Sequence, residues 1–394
     1  MKVLLTTDIY LPQVNGVITS ILTLRRMLEQ KGHDVRILTL GESSVYDAAE
    51  KVYYLSSLEI NHLYPGARVS LAVNRSVLAK IINWAPDVVH SQSEFSALHA
   101  AKLIARERDV PLVHTYHTAY EEMTCYFSPT KRSGRQIASW LSDRLLRSVD
   151  LLIAPTEKIR RMLLGYGVRP PVVVIPTGIE LKKFQEPILA NWREQKLHEL
   201  GLVTNVPTLL YVGRLAQEKN IQEVLHYLSQ NTDLTWQLLV VGDGPYRADL
   251  EDLTERLALD ERVTFMGKVP ADQVATCYHL GDIFVTSSTS ETQGLTYIEA
   301  LASGLPLLCR NDPCLEGVLL PDYNGYMYIN DGEFRHFLTT LLEDSGRRQQ
   351  FSQQAEVTVS LQFSAESFAT EVLGIYQYVR RRRRTQADPD LFSF

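Results

Sequence analysis

Short apolar runs rich in β-branched residues recur along the chain, and longer stretches of helical period separate them. The runs fall at 2–7, 35–40, 87–90, 112–116, 151–155 and 172–176, then at 208–213, 236–242, 263–267, 283–288 and 305–310. Runs that are apolar at consecutive positions read as strands buried on both faces of a parallel sheet. The stretches between them read as covering helices: Val17, Ile18, Ile21, Leu22 and Leu28 share one face after Asn15-Gly16. This is a βαβ pattern written in two series, which predicts an α/β protein of two doubly wound, Rossmann-like domains facing across a cleft. The boundary is expected near Pro176-Thr177-Gly178-Ile179-Glu180, where a strand ends in a Pro/Gly turn. The expected division is 1–180, 181–364, and a last helix with a basic tail over 365–394 that returns to the first domain.

Composition narrows the class. A chain of 394 residues, 45% hydrophobic and 22% charged, has the length and core for two such domains and not the make-up of a disordered, collagenous or coiled-coil protein. The net charge of −6 argues against nucleic acid as a partner. That charge is uneven: residues 1–180 hold 21 Lys and Arg against 17 Asp and Glu, while residues 181–394 hold 19 against 29. The acidic half nevertheless contains the run of five arginines at 380–384. Ordinary surface variation and two halves that meet different partners both fit this split. Four cysteines, Cys125, Cys277, Cys309 and Cys314, are too few for a disulfide framework and fit a reducing cytosol. Asp8 interrupts the first apolar run too early for a signal-peptide core. No apolar run approaches the roughly 18–20 residues of a membrane span. A cytoplasmic location is expected, with attachment to a membrane surface left open.

Ligands of open α/β sheets bind beyond the carboxyl ends of the strands, so the chemistry is sought in those loops. Gly213-Arg214-Leu215-Ala216-Gln217-Glu218-Lys219-Asn220 follows a strand and opens a helix. Arg214 offers a planar fork and Lys219 a point charge, a combination suited to a pyrophosphate. Cations are disfavoured at a helix start, so two of them there point to an anionic ligand, or else to plain solvated charge. The segment 290–304 follows another strand, and its backbone N–H groups near Gly294, Leu295 and Thr296 are expected at a helix start, ready for phosphate. Glu291 and Glu299 sit about two helical turns apart there. A carboxylate accepts two hydroxyl hydrogen bonds, as a ribose diol or a sugar offers, although a capping and a surface glutamate give the same spacing. After the first strand, Asn15 is a helix cap and Gly16 lets a ligand approach the backbone, in a loop that is not a GxGxxG fingerprint. His114 and His117 point to opposite faces, with His117 nearer the carboxyl end and His90 a candidate neighbour.

The Arg-x4-Lys loop at Arg214 and Lys219, the Glu-x7-Glu segment at Glu291 and Glu299, and the linker Pro176-Thr177-Gly178-Ile179-Glu180 resemble the retaining GT-B glycosyltransferases of glycosyltransferase family 4. The resemblance covers nearly the whole chain. Tyr10-Leu11-Pro12, Gly16-Val17 and His117-Thr118-Ala119-Tyr120-Glu121-Glu122-Met123-Thr124-Cys125-Tyr126 are similar to the branch of bacterial diacylglycerol glucosyltransferases, which make monoglucosyldiacylglycerol. Related branches act on phosphatidylinositol, on sulfoquinovose lipids or on soluble acceptors. The resemblance implies an acceptor-binding first domain and a nucleotide-sugar-binding second domain. It implies that Arg214 and Lys219 hold the donor diphosphate, Glu299 the ribose hydroxyls and Glu291 the donor sugar. Backbone at Gly294, Leu295 and Thr296 would meet sugar and phosphates, Lys268 and Val269 the base, Gly16 the donor phosphate, and His117 the reaction centre. Asp243-Gly244 would flank the base pocket. It further implies UDP-glucose, or second UDP-galactose, as donor and a diacylglycerol or a glycosylated lipid as acceptor. No tightly bound cofactor and no essential metal are expected, Mg²⁺ being at most stimulatory, because the one DxD motif, Asp388-Pro389-Asp390, lies in the tail. Thr292-Gln293 departs from the Phe or Ser-Phe common in the family, and Pro-Thr-Gly from Pro-Asn-Gly.

A second feature concerns membranes. Lys131, Arg132 and Arg135 precede a helical stretch with Ile137, Trp140, Leu141 and Leu145, and with Arg144 and Arg147 alongside. Basic residues beside a Trp and an apolar face suit anionic headgroups, and a helix packed on its own domain gives the same pattern. With Tyr120 and Tyr126 these residues form the candidate lipid contact, and the arginines at 380–384 would extend it. The expected setting is the inner face of the cell membrane. Two readings compete with a lipid glycosyltransferase: an enzyme with a soluble acceptor, and a nucleotide-sugar binding scaffold without turnover. An epimerase or a phosphorylase of the same fold needs acid–base groups or a pyridoxal lysine for which the sequence shows no specific signal.

Overall fold

Both series of apolar runs form parallel sheets in a computed structural model of the protein. It describes residues 1–13, 15–60, 68–70, 73–117 and 131–387, and their side chains apart from 131–135 and 386–387. The chain divides into two compact units, Met1–Gly178 with Ala365–Phe394, and Ile179–Ser364.

The first unit contains β1 (Lys2–Thr6), β2 (Asp34–Gly41), β3 (Val45–Asp47), β4 (Val52–Ser56), a small ribbon of β5 (Leu58–Glu59) and β6 (Arg68–Val69), then β7 (Val88–Ser91), β8 (Leu112–Thr115), β9 (Leu151–Ala154) and β10 (Val172–Val174). Its sheet runs β10-β9-β8-β7-β1-β2-β4-β3, with β3 alone antiparallel to its neighbour. The second unit contains β11 (Thr208–Val212), β12 (Gln237–Val241), β13 (Val263–Gly267), β14 (Ile283–Thr286), β15 (Leu307–Arg310) and β16 (Gly325–Tyr328), in the order β13-β12-β11-β14-β15-β16, all parallel. Strands β1, β7, β8, β9, β11, β12 and β14 are buried along almost their whole length, which is why they are apolar at consecutive positions. The strand sequence does not announce β3, β4 or β16. These are short or lie towards the sheet edges, and β4 and β16 are built on tyrosines.

Among the parallel strands of each sheet the order reverses between β1 and β7 in the first unit, and between β11 and β14 in the second. Loops leaving the carboxyl ends of such a pair run to opposite faces and open a crevice.

The last helix, Ala365–Ala387, belongs to the first unit. Phe368, Ala369, Val372, Tyr376 and Val379 recur at helical spacing and share a core with Val3, Leu5 and Ile21. The same periodicity turns two of the arginines at 380–384 inward. Arg380 donates to Asp87 at 2.7 Å, and Arg383 reaches the Val110 carbonyl and lies 3.2 Å from Asp109. The expectation of one basic surface is corrected at these two positions, and Arg381, Arg382 and Arg384 remain exposed.

Candidate active site

Beside the reversal point of the second sheet, the loops after β11 and β12 lie backbone against backbone. A Cβ on Gly242 would fall 1.8 Å from the Gly213 carbonyl oxygen, and one on Gly244 would fall 2.2 Å from that of Leu215. Leu215 N–H donates to the Asp243 carbonyl at 3.0 Å and closes the pair of loops. The β11 loop then makes a single 3₁₀ turn, Gln217–Lys219, and Asn220 adopts φ +54° before the helix Ile221–Ser229. Asn220 is clamped on two sides: the Ser287 hydroxyl donates to its carbonyl, and its amide donates to Glu223 at 2.9 Å. Glu223 in turn accepts from Arg310 at 2.6 Å.

This clamp aims Lys219 across the reversal point. Its ammonium donates to Glu291 at 2.7 Å, and the Ser288 hydroxyl donates to the same carboxylate oxygen at 2.9 Å. Both side chains are four-fifths buried or more, so the pair is only weakly screened by solvent. Arg214 is more open and pairs with Glu218. Gly294 (φ +69°) is the N-cap of the helix Leu295–Ala302, and any side chain there would strike the Tyr297 ring. Having no side chain, Gly294 leaves the first N–H groups of that helix without a side-chain cap. Glu299 lies on this helix and accepts from the Tyr278 hydroxyl at 2.6 Å. Burial raises the Glu299 carboxyl above its usual range, and the tyrosine bond opposes the shift. Lys268 is exposed just past β13, Val269 packs against the core, and Asp243 lies 3.7 Å from Arg247.

At the reversal point of the first sheet, the β1 loop carries Asp8 and ends at Asn15, whose side chain accepts from the Ile18 N–H at 3.0 Å and caps the helix Gly16–Gln30. Gly16 is the first residue of that helix. Asp8 reaches over to the helix Ser96–Arg108, which has no cap of its own, and accepts from the N–H groups of Ala97 at 2.8 Å and Phe95 at 3.2 Å. Burial pushes the Asp8 carboxyl up to about 6, with neighbouring Glu94 adding to the effect and the backbone N–H groups opposing it. His117, two residues past β8, bonds Gln92 through Nε2 at 2.7 Å, and burial pulls its pKa down to about 3. His90 lies near His117, as expected, and is a structural residue. Its ring is held by Thr115 at 2.7 Å and by Tyr376 of the last helix at 2.6 Å, wholly inside the core. His114 is also fully buried, 3.6 Å from Glu94. Asp8, Gln92 and Glu94 were not singled out by sequence reading: each is a lone polar residue near a strand end, without local periodicity.

Residues 14–183 match the family model described as Glycosyltransferase Family 4, and residues 193–358 match the one described as Glycosyl transferases group 1. The chain is 35% identical over 341 residues to the alpha-monoglucosyldiacylglycerol synthase of Streptococcus pneumoniae, covering 84% of this chain and 76% of that one. The chain belongs to glycosyltransferase family 4. This glycosyltransferase is also 27% identical over 382 residues to the alpha-monoglucosyldiacylglycerol synthase of Acholeplasma laidlawii, with 94% of each chain covered. Its two α/β units have the GT-B fold. A crystal structure of Anabaena Alr3699/HepE in complex with UDP and glucose superposes with a TM-score of 0.75, covering 96% of this chain and 100% of that one at 18% identity. The enzyme is thus a hexosyltransferase.

Tyr120, Tyr126, Cys125 and the Asp388-Pro389-Asp390 motif lie outside the described residues, as do the side chains of Lys131, Arg132 and Arg135. The helix Lys131–Leu146 is described, and on it Ile137 is 55% and Trp140 62% exposed. Arg144 lies over the Trp140 ring, 5.5 Å from its centroid. Among the described residues, no helix is long and apolar enough to cross a membrane, and no group of three or more His, Cys, Asp or Glu gathers to hold a metal.

Proposed function

We propose that the enzyme transfers glucose from UDP-glucose to the 3-hydroxyl of diacylglycerol, with retention at the anomeric carbon, and works at the inner face of the cell membrane. The Lys219–Glu291 pair at the reversal point of the second sheet carries this reading. It sets a phosphate-binding cation beside a sugar-binding carboxylate, as a nucleotide sugar requires. Lys219 and Arg214 hold the diphosphate, with the N–H groups of Gly294, Leu295 and Thr296. Glu291 accepts from the sugar hydroxyls. Glu299 accepts from the ribose through the oxygen that Tyr278 leaves open, and backbone at Lys268 and Val269 meets the base. As the bond from sugar to diphosphate breaks, positive charge grows on the sugar and negative charge on the phosphate. Cations and N–H groups already aimed at that phosphate lower the barrier without reorganising. The acceptor oxygen attacks on the leaving-group face, and a phosphate oxygen takes its proton. The similarity to two alpha-monoglucosyldiacylglycerol synthases supports the choice of sugar and acceptor. Since Glu223 supports the Asn220 turn, Glu223→Gln is expected to raise the KM for UDP-glucose by about tenfold, the worth of one charge-assisted hydrogen bond. Initial-rate kinetics check this, and an unchanged KM would remove the clamp from donor binding.

In this scheme His117 hydrogen-bonds the donor sugar as a neutral imidazole. Burial, which pulls its pKa down to about 3, leaves it uncharged above about pH 5. The log of kcat is therefore expected to carry no ionisation from His117 between pH 5 and 8.5. A limb near the ordinary histidine pKa of about 6.5 that vanishes in His117→Ala would contradict this.

Trp140 and Ile137 support contact with an anionic membrane, because they stay exposed and apolar while Ala138 and Leu146 of the same helix pack into the core of the first unit. Trp140→Ser with Ile137→Ser is expected to weaken sedimentation with anionic liposomes by about tenfold or more at low salt, at roughly 1.5–3 kcal/mol per buried apolar side chain. Equal sedimentation of variant and wild type would remove Trp140 and Ile137 from membrane contact. The decisive assay for the function supplies radiolabelled UDP-glucose or UDP-galactose with micelles of diacylglycerol or monoglucosyldiacylglycerol. Label from UDP-glucose in the lipid phase with diacylglycerol is the expected result. Label that needs the glycosylated lipid would make the enzyme a second-sugar transferase. Label that stays in water-soluble products would indicate a soluble acceptor, and no release from any donor would indicate a scaffold.

A further inference from the structure

Three histidines sit at the carboxyl ends of β7 and β8, and the structure treats them differently. His90 has both ring nitrogens engaged within the core, and His114 faces Glu94 without reaching a surface. His117 has one nitrogen, Nε2, fixed against the Gln92 side-chain oxygen at 2.7 Å. Gln92 is itself immobilised. It is 3% exposed, it follows β7 directly, and its backbone N–H donates to the Thr6 carbonyl of β1 at 2.8 Å. The Gln92 amide turns its oxygen to the ring, and an amide oxygen only accepts, so in this arrangement the proton of a neutral His117 lies on Nε2. Nδ1 then carries the lone pair.

We propose that Gln92 is a positioning residue that locks His117 in its Nε2–H tautomer, so that the imidazole meets the substrate as a hydrogen-bond acceptor at Nδ1. The catalytic half of this inference rests on His117 acting at the donor sugar; the tautomer does not. An acceptor nitrogen recognises a sugar hydroxyl by taking its hydrogen, and it holds the ring in the plane that Gln92 sets. Without Gln92 the two tautomers interconvert, and the ring spends part of its time presenting a donor to the same hydroxyl. A neutral side chain suits this task better than a carboxylate, which would draw a second proton onto the ring and abolish the acceptor.

Two measurements test it. In full-length protein labelled with ¹⁵N-histidine, long-range ¹H–¹⁵N spectra, assigned with His117→Ala, are expected to show Nε2 protonated and Nδ1 bare at pH 7.5. A protonated Nδ1, or an imidazolium, would overturn the proposal whatever the activity. In transfer from UDP-glucose to diacylglycerol micelles, Gln92→Met is expected to lower kcat about 10- to 100-fold, the range in which outer partners of a site histidine act, with the UDP-glucose KM within twofold. The double variant with His117→Ala should be no slower than His117→Ala alone, since Gln92 acts through that ring. Losses that multiply would show that Gln92 supports the fold and not the tautomer. Wild-type turnover in His117→Ala would overturn the catalytic half and the donor-sugar role of His117 together, while the spectra still decide the tautomer.

Discussion

A Lys219→Ala enzyme is expected to transfer sugar about 10²- to 10³-fold more slowly than wild type, the loss that follows removal of one donor aimed at growing negative charge. Two effects combine. On the proposed role of Lys219, the diphosphate loses a cation placed by the Asn220 turn, and Glu291 loses the ammonium 2.7 Å away that offsets its partly buried charge. Lys219→Arg keeps the charge but exchanges a compact ammonium for a longer planar fork, so it should recover only part of the rate. Arg214→Ala should cost less, because Arg214 is 44% exposed and its charge is better screened. Breaking a buried pair also destabilises the protein, so thermal melting must accompany the kinetics. A variant that melts like wild type and loses turnover places Lys219 at the phosphate. Wild-type kcat/KM in Lys219→Ala would remove the second-sheet reversal point from the reaction.

The strands at the heart of both sheets were legible because burial on two faces writes a short continuous apolar run, bounded by turn residues. Strands β3, β4 and β16 were not, since they lie towards the sheet edges and carry polar or tyrosine residues in place of a continuous aliphatic run. The glutamates of the second unit were legible as a pair because Glu291 and Glu299 sit in one segment, at a strand end that opens a helix. Asp8, Gln92 and Glu94 had no such signature. They come together with His117 because the strand order β8-β7-β1 places the ends of three distant segments side by side, and no local period encodes that order. The arginines at 380–384 show the opposite error. As a run they read as one charged surface, whereas helical geometry sends Arg380 and Arg383 to aspartates of their own unit.

The carboxyl group of Asp8 is expected to cost the first unit stability at neutral pH. Its pKa in the fold, about 6, lies above the ordinary value near 3.9, because burial penalises the charge more than the helix N–H groups of Phe95 and Ala97 reward it. A group raised in this way favours the fold in its protonated form. Its contribution is complete below the unfolded pKa, falls as pH rises from about 4 to 6, and is gone above the folded pKa. Two pH units correspond to about 3 kcal/mol at most, reduced by whatever charge the denatured chain also shields. Asp8→Asn removes the charge and keeps an oxygen for the Ala97 N–H. It should therefore protect the helix Ser96–Arg108 more strongly than wild type at pH 7.5, with a gain of up to about 100-fold in the exchange protection of its slowest amides. At pH 4 the two proteins should differ little. Native-state hydrogen exchange of that helix, read by mass spectrometry at both pH values, measures the difference where it arises and is indifferent to the second unit. A gain of equal size at pH 4 and pH 7.5 would mean that the charge of Asp8 is not the source. A loss at both would mean that the Phe95 N–H depends on the second carboxylate oxygen more than burial opposes it. The expected gain at pH 7.5 also has a consequence for catalysis. Asp8 is fixed through its backbone to the Ser93 hydroxyl at 3.0 Å, one residue from Gln92. A stabilising variant that slows transfer would therefore show that the buried charge is retained at this reversal point for the reaction and not for the fold.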